Sequence, residues 1–111
     1  MRVPDVELLW WEGCPSTERA LEELRQALRD VGLAGVEPSL VEIVSDDDAR
    51  RSDFVGSPTI LVDGADVVPL PEEPAGLSCR VYRRRDGVIA PTPDPQDVRE
   101  ALAQAAGREA A

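Results

Sequence analysis

Positions 6 to 11 read VELLWW, and this run leaves the chain few ways to fold. It is of strand length and is closed by Glu12-Gly13. Apart from Glu7, side chains of both parities are apolar, so the run reads as a first strand buried on both faces. An amphipathic pattern follows almost at once. Leu21, Leu24, Leu28 and Val31 fall at helical spacing, with Glu18, Glu22, Arg25 and Arg29 on other faces. Pro15 suits the first helical position and Gly32 the end.

The remaining segments extend this alternation. Leu40 to Val44 (LVEIV) reads as a second strand. Ser45 then offers an N-cap, with Asp46 to Asp48 placed where a helix dipole favours negative charge, so a short helix is expected before Phe54. The aspartates lack the glycine turn and distal glutamate of an oxygen-cage cation site. Thr59 to Val62 is a third strand closed by Asp63-Gly64, a hairpin signal. Residues 65–76 form a Pro-rich loop. Leu77 to Tyr82 (LSCRVY) alternates Leu77, Cys79 and Val81 against Ser78, Arg80 and Tyr82, which predicts a fourth strand with Cys79 on its apolar face. Asp86-Gly87 offers a further turn. Asp94 as N-cap and Pro95 at the first position open a last helix with Val98, Ala101, Leu102 and Ala105 buried, before a frayed tail at 107–111.

The expected architecture is therefore α/β: a central four-stranded mixed sheet flanked by helices as a two-layer sandwich. With 111 residues and 42% hydrophobic content, one domain spanning 1–111 accounts for the chain. No run approaches the ~18 apolar residues of a membrane span. The start also lacks the charged, apolar and small-residue regions of a secretory signal, so a cytoplasmic protein without membrane association is expected.

Composition removes whole classes of chemistry. There is no histidine, which excludes Ser-His-Asp and Cys-His hydrolysis, HExxH zinc sites and imidazole proton shuttles. A formal charge of -10 argues against nucleic acid as a partner. The short basic run Arg83 to Arg85 reads as a solvated strand end. Two cysteines are too few for a secreted disulfide scaffold or a four-ligand zinc site. No cofactor and no resident metal are expected.

Cys14 begins WWEGCPST's final turn, beside the start of the first helix. Orphan amides and the dipole there favour a thiolate, which is the nucleophilic form, and the Thr17 hydroxyl is positioned to add a hydrogen bond. Glu12 and Glu18 oppose this, so a moderately activated thiol is expected. Cys79 has two readings: a small buried hydrophobe, or a partner for Cys14 if the two Cα atoms lie within about 7 Å. Trp10 and Trp11 should point to opposite faces, one into the core and the other shielding the thiol.

The order of elements, with Cys14-Pro15-Ser16-Thr17, Gly56-Ser57-Pro58-Thr59 and the GLSCRVY segment from Gly76 to Tyr82, resembles the thioredoxin-like superfamily. It is most similar to small bacterial members with the same GCP, GSPTILVDG and GLSCRVY segments, some of them labelled alkylmercury lyase by homology. The resemblance implies a redox motif between the first strand and its helix, facing a cis-proline that opens the third strand. Cys14, Cys79 and Thr17 are then the catalytic candidates, and Pro15, Ser57, Pro58 and Trp11 the substrate-binding ones. An extended substrate would pair with the Ser57 backbone. Thr17 occupies the place of the second cysteine, which precludes a local dithiol.

Three functions follow as expectations. The first is a thiol-disulfide oxidoreductase or redox sensor whose partner is a disulfide- or thiol-containing protein or a small thiol. The second is binding of a soft metal ion such as mercury, or cleavage of a carbon–mercury bond with Asp53, Asp63 or Asp66 as the acid. The third is a redox-silent binding module.

Overall fold

The first strand is the centre of the molecule. In the computed structural model, which describes residues 3–70 and 72–107, β1 (Val6–Trp10) lies between β2 (Ser39–Glu42), parallel to it, and β3 (Thr59–Val62), antiparallel. β4 (Ala65–Asp66) pairs antiparallel with β3 and completes a four-stranded mixed sheet in the order β2-β1-β3-β4. The register sets Leu8 between Leu40 and Ile60. The helices are α1 (Thr17–Asp30), α2 (Asp46–Arg51) and α3 (Pro95–Ala106), and a separate hairpin joins β5 (Tyr82–Arg83) to β6 (Ile89–Ala90).

Both faces of β1 are used, as its apolar run requires. Val6 and Leu8 pack with Ala20, Leu24 and Leu28 of α1, Ile60 and Val62 of β3, and Val98 and Leu102 of α3. Leu9 points the other way, into a smaller cluster with Ile43, Ala49 of α2 and Phe54. The two-layer expectation is amended accordingly: α1 and α3 form a layer on one face, and α2 with its following segment covers part of the other. A fully buried leucine such as Leu24 contributes about 2 to 3 kcal/mol over its exposed state, so these two clusters hold the sheet between its covers.

Helix ends follow the sequence signals closely. Gly32 takes φ +79° after α1, and Gly32 N–H to Arg29 O with Leu33 N–H to Leu28 O forms a Schellman closure. The start of α1 differs from expectation. Thr17 is its first residue and Ser16 its N-cap, so Pro15 lies one turn position earlier, ahead of the first helical bond from Ala20 N–H to Ser16 O. Ser45 caps α2 by accepting from Asp48 N–H, and the Asp48 carboxylate accepts from Val44 N–H. The aspartate run thus serves the helix start. Among the described residues no group of three or more Cys, Asp or Glu side chains is arranged to hold a metal ion.

The largest correction concerns residues 77–82. They do not enter the main sheet as a fourth strand, and their inward parity is the opposite of the expected one. Arg80 and Tyr82 are buried, whereas Cys79 and Val81 are exposed. The sheet's fourth strand is β4, inside the segment expected to be loop. Its turn, Asp63-Gly64, has φ of +52° and +81°, the geometry of a two-residue hairpin. Strand boundaries shift slightly too: β1 stops before Trp11 and β2 before Ile43, although Ile43 N–H still bonds Trp10 O. β2 is an edge strand with Leu40 exposed.

Two arginines of the basic run, Arg84 and Arg85, are tied to the protein's own carboxylates. Arg84 bonds the Thr92 hydroxyl at 2.8 Å and lies 3.5 Å from Glu23, while Arg85 bonds Asp97 and Glu100, each at 2.7 Å. These pairs fasten the β5–β6 hairpin to α1 and α3. Gly107 caps α3; the rest of the tail, 108–111, and position 71 in the Pro-rich segment lie outside the described residues. Among the described residues no helix is long and apolar enough to cross a membrane.

Asp94 provides a test of the last helix. Its side chain accepts from Arg85 N–H and Gln96 N–H, and these bonds, the Arg85 one foremost, hold its carboxyl below the usual carboxylate range. Asp94→Ala is expected to cost about 1 kcal/mol at neutral pH. A pKa depressed by folding contributes stability above the unfolded value of ~3.9 and loses it as pH falls through the folded value. Melting temperatures of wild type and Asp94→Ala, measured against pH, should therefore differ at neutrality and converge in acid.

Candidate functional site

Ser57 is the point at which the two cysteines meet. It is fully buried, and the Ser57–Pro58 peptide bond is cis. Its N–H donates to Ser78 O and its carbonyl accepts from Arg80 N–H, both at 2.8 Å, so Cys79 lies opposite Ser57 in a parallel bridge. The same carbonyl accepts the Cys14 thiol at 3.4 Å. Cys14 is 7% exposed, Cys79 is open to solvent, and both are free thiols. The reading of Cys79 as a core residue is therefore overturned, because the neighbouring Arg80 takes the inward position.

Contact with Cys14, followed by desolvation, holds the Cys79 thiol above its ordinary range. Cys79 thus keeps its proton beside the other sulfur. The Cys14 sulfur is directed to Ser57 O, and the Thr17 hydroxyl is buried without a hydrogen-bond partner among the described residues. Thr17 adds no bond to the thiol because the helix starts later than Pro15, with Ser16 as cap.

Trp11 links the two cysteine segments. Its indole N–H donates to Ser78 O at 3.0 Å, and its main-chain N–H reaches Ser57 Oγ at 3.4 Å. The ring lies over Gly13 so closely that a Cβ there would fall 1.9 Å from it. Trp10 and Trp11 are both half-buried, so neither is a full core residue; Trp11 packs beside the smaller cluster. The Ser57 backbone, expected to receive an extended substrate, is already paired with residues 78 and 80 of the chain itself.

Arg80 is not singled out by the sequence pattern, and Asp66 stands out only as a candidate acid. The side chain is 2% exposed and bonds Asp66 at 2.7 Å and the Thr59 hydroxyl at 3.1 Å, with a further bond to Val68 O. Its guanidinium lies 4.5 Å from the centre of the Tyr82 ring. The Tyr82 hydroxyl donates to Pro58 O, and burial keeps that phenol protonated far above its ordinary range. Gly56 completes the arrangement: at φ +138°, a Cβ would stand 2.9 Å from Arg80 Cβ. The available signal was the shared parity of Arg80 and Tyr82, outweighed by the more apolar Leu77, Cys79 and Val81.

Two measurements follow. Arg80→Met leaves the Asp66 carboxylate, 17% exposed, without its charge partner and should cost about 3 kcal/mol in urea unfolding. Cys14→Ala removes the main cause of the raised Cys79 value, so the pH midpoint for alkylation of Cys79 should fall. No known family, curated protein or solved structure matches the chain.

Proposed function

We propose that this chain is a thioredoxin-like thiol-disulfide oxidoreductase in which Cys14 and Cys79 form a reversible pair. The observation that carries the reading is their common engagement with Ser57: the Cys14 thiol donates to the carbonyl of the residue that Cys79 faces. The sheet order and the strand–turn–helix around Cys14 support the same reading. Two free thiols accord with a reducing, cytoplasmic setting.

The chemistry balances through a mixed disulfide. The Cys14 thiolate attacks one sulfur of a disulfide-bearing partner, and the first partner thiolate leaves and takes up a proton. Cys79 then gives up its proton and attacks the Cys14 sulfur, releasing the second partner thiol and closing a Cys14–Cys79 bond. The substrate gains two electrons and the protein loses two. An external thiol, by the reverse exchange, restores the pair. Thr17 replaces the second cysteine of a CxxC motif, and the resolving thiol comes instead from residue 79.

A soft cation is the second reading, favoured by the same adjacency of two thiols. Carbon–mercury cleavage also needs an acid near the metal. Among the candidates, Asp66 is bound to Arg80 and Asp63 accepts from Asp5 N–H, which favours binding over lyase chemistry.

Intact mass spectrometry distinguishes the outcomes. Treatment with a disulfide oxidant should remove two hydrogens from wild type, yielding an intramolecular bridge. Cys79→Ser should instead accumulate a mixed disulfide on Cys14. Wild type that gains a stable adduct on each cysteine and closes no bridge would overturn the paired reading.

A further inference from the structure

Ser57 cannot recruit an extended substrate through its N–H, since that group already bonds Ser78 O. A groove of about 400 Å³ is lined by residues that neighbour both cysteines along the chain. Its lining includes Gly13, which precedes Cys14, and Leu77, two residues before Cys79. Trp11, Ile43, Val44 and Leu77 supply apolar walls, and Val44 is 67% exposed. Glu12 and Glu42, both exposed, supply two carboxylates and there is no basic residue in the lining.

We infer that this groove selects a cationic polypeptide segment, one with an apolar side chain and a lysine or arginine next to its disulfide. The inference rests on the proposed reactivity of Cys14 and names the substrate class for that thiol. An indole and two carboxylates in one groove suit a guanidinium or ammonium group, by cation–π attraction and charge pairing. Val44 and Leu77 suit the neighbouring aliphatic side chain, and the volume is in the range of small binding sites. An anionic disulfide would meet Glu12 and Glu42 with its own negative charge. In the exchange, the Cys14 thiolate takes the peptide's cysteine sulfur into a mixed disulfide and expels the peptide's other sulfur as a thiolate.

The test uses three synthetic tripeptides, Leu-Arg-Cys, Ala-Ala-Cys and Leu-Glu-Cys, each with its cysteine activated as a 2-pyridyl disulfide. Attack by Cys14 on the peptide sulfur releases 2-thiopyridone, whose absorbance gives the rate. Each rate is divided by that of a small neutral thiol with the same peptide, and Cys79→Ser protein is used so that one thiol reports, bridge closure being excluded. The Leu-Arg-Cys rate should exceed the Leu-Glu-Cys rate by roughly tenfold at low salt and approach it near 1 M salt, where the screening length is about 3 Å. Glu12→Gln with Glu42→Gln should reduce that ratio several-fold. A control pair, Glu22→Gln with Glu72→Gln, removes equal charge elsewhere and should leave the ratio high. Equal rates for all three peptides, or a control pair that lowers the ratio as much as the groove pair, would overturn the groove assignment while leaving the thiol chemistry standing. A Cys14 that releases no thiopyridone from any peptide would overturn the redox reading and this inference together.

Discussion

The guanidinium of Arg80 governs the path of the chain on both sides of the thiols. Its planar donors join Asp66 of the β3–β4 hairpin, Thr59 at the start of β3 and Val68 in the Pro-rich segment, with Tyr82 against its face. Burying a charge this deeply is costly unless it is paired and hydrogen-bonded, and here both conditions are met for most of its donors. The main chain of the same residue bonds Ser57 O, so the side chain's anchorage fixes the segment on which Cys79 sits. Alternation then decides the rest: with Arg80 and Tyr82 inward, Cys79 must face out.

The two cysteines thereby acquire different environments from a single scaffold residue. Cys14 is shielded and donates its thiol hydrogen to Ser57 O, whereas Cys79 is exposed and held above its ordinary range by contact with Cys14. In the proposed exchange Cys14 attacks and Cys79 resolves. Trp11 connects this pair to the acidic groove, because its indole N–H holds the Cys79 segment at Ser78 while its ring forms a groove wall.

Much of the frame was legible along the chain. The doubly apolar VELLWW run implied a strand covered on both faces, and Leu8 and Leu9 do enter different clusters. The turns at Gly32 and Asp63-Gly64 and the caps at Ser45 and Asp94 were readable because each depends on neighbours within a few residues. The site was legible only in part. Cys14 beside a strand-to-helix turn and the Ser57-Pro58 segment stand out in the sequence, but Arg80 and Asp66 carry no local mark of their pairing.

Local chemistry in the sequence determined the order of the first strands and helices and most of their turns and caps, because hydrogen-bond caps and side-chain periodicity act over short spans. Tertiary structure alone decided which face of residues 77–82 is buried. Pattern favours Leu77, Cys79 and Val81, but a paired guanidinium and a bonded phenol fill the interior instead. That choice depends on Asp66, Thr59 and Pro58, which precede Arg80 and Tyr82 by 14 to 24 positions. The strand's own period cannot report partners at that separation, and it is their bonding energy that turns Cys79 outward, opposite Ser57 and in contact with Cys14.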